Sequence, residues 1–176
     1  EMFVTVIGGS GSGKSEFAEN TAVKLGKSRL IYTAAMKPYG TEGEMRIKRH
    51  RELRKDKGFV TVEKYTALKD LLVEKGDTVL IECMSNLLAN EMFDEEGTGE
   101  NSVNEIIEGI DIVSQKCANL IVVTNDIFSD GENYTEETSK YIKNLAEINK
   151  YICLKSDVVY EVVCGIPIRL KGEEVC

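Results

Sequence analysis

Short apolar runs alternate with helical patterns along the whole chain. Residues 3–7 (Phe-Val-Thr-Val-Ile) form a β-branched run that reads as a buried strand. A Gly-rich turn follows, then a helical pattern over 14–25 that Gly26 stops. Residues 29–33 give a second short strand, and 42–56 a helix on which Thr41 and Glu44 have capping-box spacing. A strand is expected over 59–62, and a helix over 67–74 that ends at Gly76. The run 78–81 (Thr-Val-Leu-Ile) reads as a buried strand that ends in Glu82. Helices over 85–93 and 103–116 flank an acidic, Gly-containing loop. A strand over 120–124, a long helix over 136–154 and a hairpin of 158–163 with 166–170 around Gly165 complete the pattern.

Strands that are apolar at nearly every position, alternating with helices, imply a mostly parallel sheet covered on both faces. The fold class expected is therefore α/β with a C-terminal β-hairpin, in one domain over 1–176; the phosphate-loop motif at 8–15 makes that expectation P-loop NTPase-like and nucleotide-binding. In such sheets ligands sit at the carboxyl ends of the strands.

Composition adds limits. The chain has 176 residues, 42% hydrophobic and 30% charged, which suits a globular domain. A net charge of -8 argues against general binding to nucleic acid or acidic lipid. No apolar run reaches the length of a membrane span, and the start lacks a signal-peptide pattern. Five cysteines without a C-x-x-C pair suit reduced thiols, so a cytoplasmic location is expected. One histidine and scattered cysteines do not suggest a structural zinc site.

The segment Gly8-Gly-Ser-Gly-Ser-Gly-Lys-Ser15 fits G-x-x-x-x-G-K-[ST] and lies between a strand and a helix, as that motif requires. Gly8, Gly9, Ser10, Gly11, Ser12 and Gly13 would turn successive backbone N–H groups toward phosphate oxygens, and the helix start adds unpaired donors. Lys14 would reach the β- and γ-phosphates, and Ser15 would ligate Mg²⁺. Glu82 holds the place of a Walker B carboxylate and is the second candidate for the metal. The bland readings are a Gly/Ser-rich turn and a solvated carboxylate. A GTP switch protein would carry N-K-x-D after a strand; this chain has Thr124-Asn-Asp-Ile127 there. Its D-x-x-G at 94–97 follows no strand.

The only histidine, His50, stands among Arg46, Lys48, Arg49, Arg51 and Arg54 in an acidic protein. On a helix Glu42, Arg46, His50 and Arg54 share one face. This helix is too polar to be explained by core packing, so it is a solvated face or a site. As a solvated face, His50 is an exposed residue in a salt-bridged basic patch. As a site, the guanidiniums favour a neutral, nucleophilic imidazole and grip a polyphosphate in fork geometry. That combination suits attack on a nucleotide's α-phosphate.

Several segments occur here in one order: G-G-x-x-S-G-K-S, R-I-x-x-H-x-x-x-R, Glu82-Cys83 after a buried strand, V-T-N after a later one, and V-x-x-G-x-P-x-R-x-K at the end. Over nearly the whole chain this resembles the bifunctional adenosylcobinamide kinase / adenosylcobinamide-phosphate guanylyltransferase of cobalamin biosynthesis. The histidine and C-terminal segments are more specific to that family than the phosphate loop. The resemblance implies ATP and GTP as substrates, Mg²⁺, adenosylcobinamide as the corrinoid acceptor, and a homotrimer. It implies that His50 carries a guanylyl group; Arg46, Arg49 and Arg54 are the candidate phosphate clamps, of which Arg46 and Arg54 share the face with His50 and match the family. Tyr32, Thr33 and Ala34 resemble the family's second-strand end, and on that ground Thr33 is a nucleotide-binding candidate. Asn90, Thr124, Asn125, Asn149, Gly165, Pro167 and Lys171 also match.

The chain departs from the family at Gly11, where a basic residue is usual. It departs again in the run Asp126-Ile-Phe-Ser-Asp-Gly-Glu-Asn-Tyr134, where the family has an acid and then a Gly-x-Gly-apolar-apolar-Pro loop. The second departure bears on corrinoid specificity more than on nucleotide chemistry. Three readings stand at this point: the bifunctional transferase, a small P-loop kinase for another metabolite, and a nucleotide-binding regulator without transfer chemistry.

Overall fold

The computed structural model describes residues 1–126 and 135–175. The altered run after Asn125 lies largely outside these residues, as do the side chains of Glu42, Arg46 and Leu53.

In chain order the elements are β1 (Met2–Gly8), α1 (Lys14–Leu25), β2 (Leu30–Ala34), α2 (Gly40–Arg54) and β3 (Phe59–Glu63). They continue with β4 (Thr78–Ile81), α3 (Met84–Phe93), α4 (Ser102–Lys116), β5 (Asn119–Asn125), α5 (Glu136–Lys155), β6 (Val158–Val163) and β7 (Ile166–Lys171). Among the described residues seven strands form one sheet in the order β3-β2-β4-β5-β1-β6-β7. All neighbouring pairs are parallel except the β6–β7 hairpin.

The continuous apolar strands have their physical reason in two cores. Val79, Ile81, Leu120 and Val122 point to one face, under Leu87, Leu88, Ile106, Ile110, Leu145, Ile148 and Ile152 of α3, α4 and α5. The alternate residues Leu80, Ile121 and Val123 point to the other face, with Val4, Val6 and Ala18 and Ala22 of α1. Each fully buried Leu, Ile or Val stabilises the fold by roughly 1.5–3 kcal/mol. The sheet is thus covered on both faces, as the strand composition requires.

Two local expectations fail. Residues 67–74 do not form a helix; only a 3₁₀ turn spans Leu68–Asp70. Ala67 is left-handed (φ 50), and its N–H donates to the buried Glu91 carboxylate at 2.6 Å. Leu68 lies so close to Gly109 of α4 that a Cβ there would come within 2.9 Å of it. The segment follows the surface of α4 rather than its own helical pattern. The capping box at Thr41 does not form either. Helix α2 starts at Gly40, with Tyr39 as its cap and no side-chain cap hydrogen bond. Gly40 turns the chain with a φ of 64, and Thr41 falls inside the first turn.

The hairpin turn is Cys164-Gly165, with φ values of 50 and 77. Two consecutive positive values are what a two-residue turn needs to match strand twist.

Candidate active site

The strand order brings the phosphate loop, Glu82 and Asn125 to the carboxyl ends of three adjacent central strands. The phosphate loop leaves β1, Glu82 follows β4, and Asn125 ends β5, which lies between them. Neighbouring strands are about 4.8 Å apart, so β1 and β4 are separated by about 10 Å.

Within the loop, Ser12 N–H donates to the Gly9 carbonyl at 3.3 Å, and Lys14 Nζ donates to the same carbonyl at 2.9 Å. Gly11 (φ 69) and Gly13 (φ 90) are left-handed, and Gly13 caps α1, so Lys14 is the first helical residue and Ser15 the second. Gly8 is buried; Gly9, Ser10 and Gly11 are exposed. The Ser12 hydroxyl is buried without a hydrogen-bond partner. The terminal hairpin braces this loop. Gly165 N–H donates to the Ser12 carbonyl at 2.7 Å, and a Cβ on Gly13 would lie 3.2 Å from the Gly165 Cα. A Cβ on Gly8 would meet both Ser12 Oγ and the Val162 carbonyl at 2.7 Å. The hairpin motif seen in the sequence is therefore part of the phosphate loop's support.

His50 lies elsewhere, in a cleft that it shares with Ala34, Met36, Arg51, Arg54, Thr61 and Glu82. No residue of the phosphate loop lines this cleft. The cleft is bounded by α2 and by the carboxyl ends of β2, β3 and β4. The carboxyl end of α2 is tied to α1 through Lys57 Nζ, 2.7 Å from the buried Glu19 carboxylate. Arg54 is 5% exposed, and its guanidinium stacks on the Tyr32 ring, 3.5 Å from the centroid. Nη2 makes a long hydrogen bond of 3.4 Å to Thr61 Oγ1, while Nε and Nη1 are buried with no partner. Buried donors are almost always satisfied, and leaving one unmade costs about 1–3 kcal/mol. The Thr33 hydroxyl, 1% exposed, is also without a partner. Burial and the neighbouring Glu82 carboxylate push the Tyr32 phenol's pKa far above its ordinary value, so Tyr32 serves this cleft as a neutral ring.

Of the three arginines singled out in the sequence, only Arg54 is seen to enter the cleft. Arg49 is exposed and does not line it, and the Arg46 side chain lies outside the description. Arg51 is not among the clamp candidates that helical spacing selects. It lines the cleft and is held by Glu63 on β3 at 2.9 Å, whose other oxygen accepts from Tyr65 at 3.2 Å. Its position one residue after His50, about 100° around the helix, hid it from an i, i+4 search.

The family model described as cobinamide kinase / cobinamide phosphate guanyltransferase matches residues 4–170. The chain belongs to this family. It is accordingly an enzyme of a kinase and guanylyltransferase family of cobalamin biosynthesis. Among solved structures, similar ones are the flagellar accessory protein FlaH from Methanocaldococcus jannaschii and the ATPase domain of G40P. FlaH is 11% identical, with a TM-score of 0.50 over 99% of this chain and 80% of that one. G40P is 8% identical, with a TM-score of 0.50 over 91% of this chain and 68% of that one. At these identities the likeness concerns the fold, and it agrees with the P-loop architecture. No curated protein sequence matches the chain.

Proposed function

We propose that this cobinamide kinase / guanyltransferase family member phosphorylates adenosylcobinamide with ATP or GTP and then transfers GMP from GTP through a guanylyl-histidine at His50. The observation that carries the second step is the buried, under-bonded Arg54 beside the only histidine, in a cleft apart from the phosphate loop. An orphaned guanidinium on an aromatic platform fits a phosphate in fork geometry, which would satisfy both idle nitrogens.

In the first reaction the loop amides around Gly11–Gly13 and the Lys14 ammonium hold the triphosphate. The acceptor hydroxyl attacks the γ-phosphorus, and the bond to the bridging oxygen breaks to leave a nucleoside diphosphate. Mg²⁺ bound here would neutralise charge on the β- and γ-phosphates. Ser15 and Glu82 would hold it, being the hard oxygen donors it prefers.

In the second reaction a ring nitrogen of His50 attacks the α-phosphorus of GTP. A P–N bond forms, the bond to the β-phosphate's bridging oxygen breaks, and pyrophosphate leaves. Arg54 and Thr33 bind the phosphates, and the sequence adds Arg46 and Arg49 of the same helix as further clamp candidates. The corrinoid phosphate then attacks, the P–N bond breaks, and adenosylcobinamide-GDP is released. By resemblance the working unit is a cytoplasmic homotrimer.

Incubation with Mg²⁺ and α-labelled GTP tests the covalent step. Label is expected on the denatured protein, acid-labile and alkali-stable, and absent from His50→Ala. An unlabelled wild type would remove the histidine step and leave a kinase. Transfer of γ-phosphate to cobinamide is expected to vanish in Lys14→Ala, and its persistence there would remove the phosphate loop from the kinase step. Sedimentation measures the trimer.

A further inference from the structure

Between the phosphate loop and the His50 cleft lies the end of β5, and a buried amide fixes it. Asn149 on α5 is 6% exposed, while its neighbours on that face, Leu145, Ile148 and Ile152, are fully buried and apolar. A carboxamide in such a place costs free energy unless both of its ends are bonded. Both ends are. Asn149 Oδ1 accepts from Thr124 Oγ1 at 2.6 Å, and Nδ2 donates to the Asn125 carbonyl at 3.1 Å.

Asn125 stands in register with Gly8, the first residue of the phosphate loop. Its own Nδ2 donates to Ser85 Oγ at 2.7 Å, and Ser85 lies in the first turn of α3, just after Glu82 and Cys83. The Ser85 carbonyl in turn accepts from Tyr141 on α5 at 3.0 Å. One line of hydrogen bonds therefore runs from α5 across the end of β5 to the start of α3. A hydrogen-bonded network of this kind, buried at Thr124 and Asn149, holds one arrangement of the groups it touches. Here those groups are the Asn125 side chain and the backbone on either side of the seam between β1 and β4.

We propose that Asn149 is a positioning residue for phosphoryl transfer: by holding Thr124 and the Asn125 carbonyl, it sets the Asn125 carboxamide at the seam between the phosphate loop and the β4 end. The inference rests on reading the phosphate loop as the nucleotide site of the kinase step. Neither asparagine lines the His50 cleft, and the network comes near it only at Ser85, three residues after Glu82. On the proposal, Asn149 therefore acts chiefly in the kinase step.

The test uses the full chain with Asn149→Asp. This change keeps the acceptor for Thr124 but turns a carboxylate oxygen on the Asn125 carbonyl. The kcat for γ-phosphate transfer is expected to fall about tenfold or more, with the nucleotide KM and His50 labelling within about twofold of wild type. Lowering the pH from about 8 to about 6 should restore part of kcat relative to wild type, because the protonated acid donates to the carbonyl as the amide did. A purely structural role would lower kinase and labelling together, in step with thermal stability, and would overturn the proposal; so would an unchanged kcat. Where Asn149→Asp does not fold, Asn125→Ala is expected to give the same split between kinase rate and labelling. An intact split in Asn125→Ala together with full kinase activity in Lys14→Ala would locate the failure in the nucleotide-site reading rather than in Asn149.

Discussion

The Arg54 guanidinium lies over the Tyr32 ring, 3.5 Å from its centroid, and both residues are almost wholly buried. A cation on an aromatic face gains about 0.5–2 kcal/mol. Two of its three nitrogens meanwhile lack an acceptor. The arrangement is therefore poor for stability and good for binding an anion.

Arg54→Met should separate these two effects. The thioether chain keeps contact with Tyr32 and removes the orphaned donors, so the nucleotide-free protein should melt within a few degrees of wild type or above it. Labelling of His50 by GTP should fall at least about tenfold, equivalent to about 1.4 kcal/mol. A large drop in melting temperature without loss of labelling would assign Arg54 to the fold instead.

Gly13→Ala should damage the phosphate loop through its brace. The residue has a φ of 90, and its new Cβ would lie 3.2 Å from the backbone of Gly165. The left-handed conformation alone costs an L-residue about 1–2 kcal/mol. We expect thermal stability to fall by about 2 kcal/mol and added nucleotide to give no thermal protection through this loop.

Asp77 should govern the acid limb of stability. It is 2% exposed, accepts from Arg29 Nε at 3.0 Å and Nη2 at 2.6 Å, and also accepts from the Glu74 N–H at 2.7 Å. The hydrogen bond from Arg29 holds its carboxyl below the usual carboxylate range, an effect that burial opposes. A lowered folded-state pKa gives stability that is complete above the unfolded value of about 4 and is lost as pH falls through the folded one. Asp77→Asn should cost about 2 kcal/mol near neutral pH and flatten the decline below about pH 4. Urea unfolding across pH measures both.

Glu91 should prove structural although it is a buried acid next to the acidic loop. Its carboxylate accepts from the Ala67 N–H at 2.6 Å and from the Thr98 N–H and Oγ1 at 3.1 Å. Glu91→Ala leaves these donors unmet and should cost about 3 kcal/mol in equilibrium unfolding. Per mole of folded protein, His50 labelling should be unchanged.

Local patterns made much of this legible in advance. Helix α1 and strands β4 and β6 have the boundaries their apolar periods indicate, because periodicity and a terminal glycine act within a few residues. The segment 67–74 was misread for the complementary reason. Its helical pattern is outweighed by the Glu91 carboxylate and by the surface of α4, both distant in sequence. Arg51 was missed because spacing along one helix does not say what stands opposite it, here Glu63 on β3.

By itself the sequence determined the phosphate loop, the α/β class and the basic helix around His50, since each depends on residue types at short, fixed spacings. Only the tertiary structure decided which arginine is buried on which ring, that Gly165 supports Ser12, and that Asn149 ties β5 to the seam. These contacts follow from the order β3-β2-β4-β5-β1-β6-β7. That order is set by how two apolar faces are covered together, a global packing condition that no short window of sequence contains.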